Sequence, residues 1–235
     1  MTFDEIMDAL ADYGNEQTKK VLTKHGAKEP FFGVKVGDLK KIVKKVKKNH
    51  ELALALYRTG NSDAMYLAGL IADEKQMTKE LLQEWVEAAY WYMISEYTVP
   101  WVSAESDFGY ELALEWIESP TEAIAAAGWA TLTCLTSIKQ DEALDLTKIE
   151  DLMERAASEV HEAQNRVRYA MNNYIIGVGI NVVSLTEKAK ALGEKVGKVS
   201  VNMGGTACKV PLAAPYIQKA IDKNRTGKKR KSARC

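Results

Sequence analysis

The segment Asp38-Leu-Lys-Lys-Ile-Val-Lys-Lys-Val-Lys-Lys-Asn49 shows most clearly how this chain folds. Its apolar residues recur at the 3.6-residue period of an α-helix and so share one face: Leu39, Ile42, Val43 and Val46. Lysines fill most of the remaining positions. We therefore predict an amphipathic helix over Asp38–Asn49 that packs its apolar face on the core and exposes its lysines.

The same helical period continues along nearly the whole chain. The motif Thr2-x-x-Glu5 is a capping box, which predicts that a first helix starts there and runs until Gly14. A second helix extends to about His25, and Pro30 with two glycines predicts a loop over Ala27–Gly37. Further helices are predicted over Leu52–Arg58, Asp63–Ala72, Lys79–Ile94, Asp107–Glu118, Thr121–Lys139, Leu146–Ser158, Glu162–Val178, Thr186–Val196 and Leu212–Lys223.

The predicted fold class is therefore all-α. Roughly ten helices joined by short turns suit stacked antiparallel pairs, as in a superhelical solenoid, although the period alone fits a compact bundle equally well. β-like patterning is confined to short runs such as Lys198–Met203. We predict one helical-repeat domain over residues 1–222, followed by a basic, flexible tail over residues 223–235.

Charge is segregated along the chain, although the formal net charge is zero. Residues 19–50 hold eleven lysines and two acids, and residues 222–235 hold seven basic residues and one acid, whereas residues 51–160 hold twenty-one acids and six basic residues. Basic clusters are typical of proteins that bind nucleic acid, and a solvated helix with a disordered tail is the alternative. The candidate phosphate contacts are Lys40, Lys41, Lys44, Lys45, Lys47, Lys48, Lys228, Lys229, Arg230 and Lys231.

Several protein classes do not fit this composition. No apolar run approaches the ~20 residues of a membrane span, and the acidic start of the chain lacks the features of a signal peptide. Three widely spaced cysteines, Cys134, Cys208 and Cys235, favour a reducing cytoplasm over a disulfide scaffold. The three histidines show no metal-ligand spacing. We expect a cytoplasmic monomer without a metal, a cofactor or a membrane partner.

The densest aromatic region surrounds a proline. It reads Trp85-x4-Tyr90-Trp-Tyr-x4-Tyr97-x3-Trp101, with Pro100 at a predicted helix break. Aromatic residues at helical spacing usually pack in a core. Tyr97 and Trp101 differ because they lie at a predicted helix end, where a ring can face a groove and stack on a base.

A polar stretch, Arg166-Val-Arg-Tyr-Ala-Met-Asn-Asn173, interrupts an otherwise apolar helix. Arg168 and Asn172 are four residues apart, as are Tyr169 and Asn173, so each pair shares one helix face. A polar network between helices would explain these side chains as well as a phosphate or base contact does. The candidate contacts are Arg166, Arg168, Asn172 and Asn173.

These segments together resemble a known family, the DNA alkylation repair proteins of the AlkD type, which are built of HEAT-like (armadillo-like) helical repeats. The resemblance rests on the helical array, on Phe32-Gly-Val-Lys-Val-Gly-Asp-Leu-Lys-Lys-Ile42, and on the stretch from Arg166 through Val201-Asn-Met-Gly-Gly-Thr-Ala-Cys-Lys-Val-Pro-Leu-Ala213. It covers essentially the whole chain. It implies a curved solenoid whose basic concave face grips duplex DNA, and active members that excise N3- and N7-alkylated purines without flipping the base.

The resemblance also implies a catalytic pattern from which this chain departs. In active members a tryptophan precedes a catalytic carboxylate by one helical turn, and an arginine and a second tryptophan complete the cleft. The matching pair here is Tyr97-x3-Trp101, so Trp101 stands in the carboxylate position, while the arginine position falls near Gly128-Trp129 and the second tryptophan near Asn173. Excision would need a substitute acid, and the candidates are Glu96, Glu105 and Asp107.

Three functions are consistent with these observations. The first is a DNA glycosylase that hydrolyses the N-glycosidic bond of alkylated purines. The second is a non-catalytic protein that recognises damaged or branched DNA through backbone contacts and shape. The third is a solenoid that binds a peptide, with its basic tail solvated. Steep salt dependence of binding separates the DNA readings from the peptide reading, and release of an alkylated base separates the first from the second.

Overall fold

The structure is a computed structural model that describes residues 1–234, and thirteen α-helices lie within this range. No β-strand is present among these residues, so the all-α prediction is confirmed, and residues 198–203 have no regular secondary structure. The helices are α1 (Phe3–Asp12), α2 (Glu16–Lys24), α3 (Val36–Val46), α4 (His50–Tyr57), α5 (Ser62–Ile71), α6 (Lys79–Ala88), α7 (Val99–Glu105), α8 (Gly109–Trp116), α9 (Glu122–Ile138), α10 (Leu146–Glu159), α11 (Asn165–Asn181), α12 (Thr186–Val196) and α13 (Ala213–Asp222).

The helices stack in pairs along the chain. Helix α4 packs against α5, α8 against α9, α10 against α11, and α12 against α13. Helix α9 also packs beside α7 and α11, and α11 packs beside α13. The helices α7, α9, α11 and α13 therefore form one continuous layer. The result is the predicted solenoid of stacked helix pairs rather than a compact bundle.

One apolar core runs through the stack and includes most of the tryptophans. Trp85 and Trp129 are almost completely buried, as their helical spacing indicated. Tyr57 stacks on Trp85 with ring centroids 3.9 Å apart, and its hydroxyl donates a hydrogen bond of 2.6 Å to the Trp85 carbonyl. Burial of such large rings supplies much of the hydrophobic stabilisation between neighbouring helix pairs.

Local sequence signals locate several helix ends. The Thr2 and Glu5 side chains each accept from the backbone N–H of the other, so the predicted capping box is formed at the start of α1. Helix α12 has the predicted bounds. The lysine-rich helix α3 starts at Val36 and ends at Val46, earlier than predicted at both ends, and it stops where Lys47 takes a left-handed φ of 59°.

The region around Pro100 differs from the predicted helix break. The helix predicted over Lys79–Ile94 ends at Ala88, and the chain resumes in a π-helical turn over Ile94–Thr98 that leads directly into α7. Pro100 lies in the first turn of α7, directly after the π-helical turn. π-helical turns often occur at functional sites, and this one carries Glu96 and Tyr97.

The loop between α2 and α3 is held by one carboxylate. Asp63, at the start of α5, accepts hydrogen bonds from three consecutive backbone N–H groups, those of Phe32 (2.6 Å), Gly33 (2.9 Å) and Val34 (3.1 Å). Burial raises the pKa of the Asp63 carboxyl, and these three donors oppose that rise. The loop is therefore fixed to the helical stack rather than free.

The C-terminal segment differs from the flexible tail expected from its composition. Ala233 is fully buried, and the Arg230 backbone N–H donates to the Ser137 carbonyl at 2.7 Å. Residues 228–234 thus lie against the helical stack, and Cys235 lies outside the described residues. Within residues 1–234, no helix combines the length and apolar character that crossing a membrane requires.

Candidate functional site

A cleft of about 500 Å³ opens on the layer formed by α7, α9, α11 and α13. Its lining combines aromatic rings with hydroxyl and amide groups, a carboxylate and an arginine of the C-terminal segment. Such a mixture suits a ligand that has flat rings and many hydrogen-bonding groups. The side chains that give the cleft this character are Glu96, Tyr97, Trp101, Thr133, Tyr169, Asn173, Asn181, Tyr216 and Arg230.

Tyr97 and Trp101 form one wall of this cleft. Their ring centroids are 6.1 Å apart and the planes meet at 67°, while Trp101 meets Tyr66 edge-on at 5.3 Å. Trp101 is only 3% exposed and Tyr97 is half-buried, so Tyr97 offers more ring surface to the cleft. Burial raises the pKa of the Tyr97 hydroxyl well above its ordinary value, so this hydroxyl stays protonated at neutral pH.

Glu96, which lines the cleft, forms a two-point ion pair with Arg166. Arg166 Nε donates to Glu96 Oε1 and Arg166 Nη2 donates to Glu96 Oε2, each at 2.6 Å. The Glu96 and Arg166 side chains are only 4% and 15% exposed, respectively. Burial raises the pKa of the Glu96 carboxyl, and the Arg166 guanidinium opposes that rise. Both carboxylate oxygens therefore have a fixed cationic partner.

Arg166 is itself held between two aromatic rings. Its guanidinium carbon lies 4.5 Å from the Tyr92 ring centroid and 4.6 Å from that of Tyr169. Its backbone N–H donates to Glu122 at 2.8 Å. The two rings hold the guanidinium by cation–π attraction, so it has little freedom to reach a phosphate. The structure thus brings together Glu96 and Arg166, which the sequence suggested for two different roles.

The other two candidate acids lie elsewhere. Glu105, at the end of α7, accepts from the Ser232 hydroxyl at 2.5 Å and from the Ala233 backbone N–H at 2.7 Å. Asp107 is exposed and does not line the described cleft. Of the three candidates, Glu96 is therefore the one that the structure brings beside Tyr97 and Trp101.

The polar stretch of α11 divides between two roles. The Tyr169 and Asn173 pair faces the cleft. Asn172 is completely buried and its amide donates to the Pro211 carbonyl at 3.0 Å, while Arg168 donates to two backbone carbonyls. Arg168 and Asn172 therefore brace neighbouring segments of the chain, which is the polar-network alternative at these positions.

The lysines near α3 are all exposed but differ in their partners. Lys41 pairs with Asp38 at 2.7 Å, and Lys48 pairs with Glu74 at 2.6 Å. Among residues 1–234, no ion pair is formed by the other four, which are Lys40, Lys44, Lys45 and Lys47. These four have ammonium groups that a phosphate can approach without displacing a carboxylate.

The basic residues of the C-terminal segment also divide into two groups. The Lys229 ammonium is buried, 2.7 Å from Asp141 Oδ1, and it donates to the Thr136 carbonyl at 2.8 Å. The side chains of Lys228, Arg230 and Lys231 are exposed, and Arg230 lines the cleft.

Sequence reasoning missed three tyrosines of the site. Tyr92 stacks on Arg166, while Tyr169 and the half-exposed Tyr216 line the cleft. The four-residue spacing of Tyr169 and Asn173 was a usable signal for Tyr169. Tyr92 and Tyr216 carried no such signal, because their positions depend on how distant helices pack.

Comparison with known proteins assigns the chain to a family. The family model for the DNA alkylation repair enzyme matches residues 6–192, which is most of the chain. The chain belongs to the DNA alkylation repair enzyme family.

Individual proteins agree with the assignment to the DNA alkylation repair enzyme family. A solved structure, described as one of a new family related to the HEAT-like repeat DNA glycosylases with affinity for branched DNA structures, is 41% identical and superposes with a TM-score of 0.92 over 100% of both chains. An uncharacterized protein of Listeria monocytogenes is 38% identical over 96% of this chain and 99% of its own length. One from Listeria innocua is 37% identical over 94% and 97%.

Within the DNA alkylation repair enzyme family, the cleft of this chain departs from the pattern of active members in its acid. Trp101 occupies the position that the resemblance assigns to the carboxylate, and Glu96 reaches the cleft from the π-helical turn instead. That carboxylate is bonded at both oxygens by Arg166. The cleft therefore keeps aromatic and hydrogen-bonding groups while its carboxylate is already neutralised.

Proposed function

We propose that this protein binds branched DNA through the layer that carries the cleft and does not excise bases. The observation that carries the absence of excision is the ion pair between Glu96 and Arg166, which neutralises the carboxylate that the structure brings beside Tyr97. Two findings support DNA as the partner. The chain belongs to a DNA repair family, and the 41% identical solved structure is of a protein family described as having affinity for branched DNA structures.

The chemistry of base excision explains why a paired carboxylate matters. An alkylated purine that carries a positive charge is already a good leaving group, so the enzyme must mainly stabilise a sugar that becomes oxocarbenium-like. An unpaired carboxylate near the anomeric carbon provides that electrostatic stabilisation. A carboxylate whose negative charge is balanced by a guanidinium at 2.6 Å stabilises a second cation far less.

Excision of N3- or N7-alkylated purines is the second candidate function. It is favoured by the family and by a buried carboxylate in the cleft beside two aromatic rings. For this function the DNA would have to draw Arg166 away from Glu96. The pair is buried and stacked between tyrosines, so separating it requires leaving a buried charge without its partner.

Phosphate contacts would come from the exposed cations. We assign this role to the lysines of the α3 region that form no ion pair within residues 1–234, Lys40, Lys44, Lys45 and Lys47, and to Lys228, Arg230 and Lys231. Lysine and arginine contacts to phosphate release condensed counterions and give binding that weakens steeply with salt. At a branch point the duplex arms diverge, so separate basic segments can each follow one arm and recognise shape rather than base sequence.

The protein is proposed to act as a monomer in the cytoplasm. The three widely spaced cysteines favour a reducing compartment, and the basic C-terminal segment packs against helices of its own chain. The branched substrate would contain duplex arms, with or without alkylated bases.

The test compares a four-way DNA junction with a linear duplex of the same sequence and length, each titrated with the protein at several salt concentrations. We expect the junction to bind more tightly at every salt concentration, and the logarithm of the binding constant to fall linearly with the logarithm of the salt concentration. Equal affinity for both DNAs would contradict recognition of branching. Binding to neither, or binding that salt does not weaken, would contradict DNA binding and favour the peptide alternative.

A further inference from the structure

The C-terminal residues 228–234, here termed the strap, cross several elements of the helical stack. The strap follows Gly227, whose backbone N–H donates to the Ile180 carbonyl at 2.8 Å. It then passes the C-terminal end of α9 and the C-terminal end of α7, and it reaches the 3-10 turn over Glu74–Gln76. It therefore runs back along the solenoid, from its last repeats towards its earlier ones.

Two buried cations anchor the strap at its ends. The Lys229 side chain is 8% exposed and pairs with Asp141, and the Arg234 side chain is 11% exposed. Arg234 Nη2 lies 2.9 Å from Glu74 Oε2 and 3.5 Å from Glu105 Oε2. A charged side chain that is buried this far needs such partners to offset its loss of hydration.

The middle of the strap is fixed on Glu105. This carboxylate accepts from the Ser232 hydroxyl at 2.5 Å and from the Ala233 backbone N–H at 2.7 Å, and Ala233 itself is fully buried. The docking site is therefore built of three carboxylates on three separate elements, Glu74, Glu105 and Asp141.

The strap also meets the lysine-rich segment. Lys48 Nζ bonds both oxygens of the Glu74 carboxylate, at 2.6 and 2.7 Å, and Arg234 Nη2 also bonds Oε2, at 2.9 Å. The two basic regions of the sequence, which flank the acidic middle, are thus joined at one acid. Lys48 and Arg234 therefore contact each other's region through a shared carboxylate.

The docked strap changes the charge of the surface formed by its three docking acids. Without it, Glu105 and Asp141 would present carboxylates that repel a phosphate backbone, and Glu74 would keep only Lys48 as its partner. When the strap is docked, those acids are paired. The cations that remain exposed, Lys228, Arg230 and Lys231, lie on a segment whose position is fixed. Contacts that are ordered before binding lose less conformational entropy when the ligand arrives.

We propose that the strap is a phosphate-binding segment that is docked on the helical stack before DNA binds. Lys229 and Arg234 anchor it, and Lys228, Arg230 and Lys231 bind DNA phosphates. Arg230 binds the phosphate nearest the cleft, which it lines together with Tyr97 and Asn173. Its guanidinium is oriented by a 2.9 Å hydrogen bond to the Arg234 carbonyl. This inference rests on the proposed DNA binding, and it makes docking on the three acids a condition for tight binding.

The experiment removes acids from the docking site without changing the strap itself. The docking variant is Glu105→Gln with Asp141→Asn, and the matched control is Glu115→Gln with Glu142→Gln, two exposed acids that form no ion pair within residues 1–234. Both double variants lose two negative charges. If only charge matters, both should bind the four-way junction slightly more tightly than the unaltered chain does. If docking matters, the control binds slightly more tightly and the docking variant binds about tenfold more weakly.

A second measurement follows docking without DNA. Trypsin should cut the strap of the docking variant after Lys228, Arg230 or Lys231 faster than it cuts the strap of the control or of the unaltered chain. Unchanged protection from trypsin would overturn the docking on these acids. Faster cleavage with unweakened DNA binding would overturn the role of docking in DNA recognition.

A third variant keeps the test independent of folding. Changing Lys228, Arg230 and Lys231 together to Gln alters exposed side chains and should leave the thermal unfolding midpoint unchanged. The slope of log Kd against log salt should fall by about 0.9 for each phosphate that the variant no longer binds. An unchanged slope would overturn the assignment of these phosphate contacts. If the unaltered chain binds no DNA, the proposed function fails as well, whereas trypsin still decides whether the strap is docked.

Discussion

The Glu96 carboxylate and the Arg166 guanidinium are joined by two hydrogen bonds of 2.6 Å each, although the residues are 70 positions apart. The pair connects the π-helical turn before α7 to the first turn of α11, and its carboxylate lines the cleft. It determines both what the cleft can bind and what chemistry it can perform.

The first prediction concerns the stability that this pair provides. Glu96→Gln removes the negative charge and leaves Arg166 buried without a counter-charge, so we expect the free energy of unfolding to fall by about 3 kcal/mol. Chemical denaturation at neutral pH measures the change. The control, Glu115→Gln at an exposed position, should stay within about 0.5 kcal/mol of the unaltered protein. Equal stability of the two variants would show that the pair contributes nothing to folding.

The second prediction separates lysines by their partners. Lys44→Gln with Lys45→Gln removes two exposed lysines that form no ion pair among residues 1–234, and it should reduce the salt slope of junction binding by about 0.9 for each phosphate that these lysines bind. Lys148→Gln, an exposed lysine on α10, serves as the control and should leave the slope unchanged. An equal effect of both changes would mean that overall charge, not the α3 region, determines binding.

Helix positions could be predicted from the sequence because a 3.6-residue period is a local property. Helix α12 has the predicted bounds, and the Thr2 capping box is formed. Helix α10 starts at Leu146, as predicted, with Asp145 accepting from the Lys148 N–H as its cap.

The cleft could be predicted only in part, because it depends on distant residues. Pro100 was interpreted as a helix break or kink, although it lies in the first turn of α7, directly after the π-helical turn. The period placed Asn172 and Asn173 on two faces of α11 but did not show which face meets a cleft. The docking of the strap had no local signal at all, because its acids lie more than 80 residues away in sequence.

The third prediction tests the carboxylate that fixes the loop before α3. Asp63→Ala leaves the N–H groups of Phe32, Gly33 and Val34 without their acceptor, and each unsatisfied buried donor costs about 1–3 kcal/mol. We expect the free energy of unfolding to fall by about 3 kcal/mol in total, since some of these groups will reach water. Asp107→Ala, at an exposed aspartate, is the control for loss of one acid.

The fourth prediction concerns the pH dependence of the strap anchor at Glu74. Burial alone would raise the pKa of Glu74, but the Lys48 hydrogen bond and the Arg234 charge outweigh it and leave the pKa below its ordinary value. The ion pair is therefore complete above the ordinary carboxyl pKa of about 4.3 and disappears as the pH falls through the lowered value.

Comparison with Arg234→Gln makes this dependence measurable. At pH 7 the variant should be less stable than the unaltered protein by about 1–2 kcal/mol. Denaturation at decreasing pH should show that difference shrinking once Glu74 is protonated. A difference that stays constant down to about pH 3 would mean that Arg234 stabilises the fold through packing and not through its charge.

The central claim, that this protein binds DNA without excising bases, is tested most directly by base release. Duplex DNA that carries N7-methylguanine and N3-methyladenine is incubated with an excess of protein, and the free bases are separated and counted against a sample without protein. We predict no release above that background, because Arg166 neutralises the Glu96 carboxylate of the cleft. Release by the unaltered protein that disappears in Glu96→Gln, while DNA binding survives, would contradict this claim and establish Glu96 as the catalytic carboxylate.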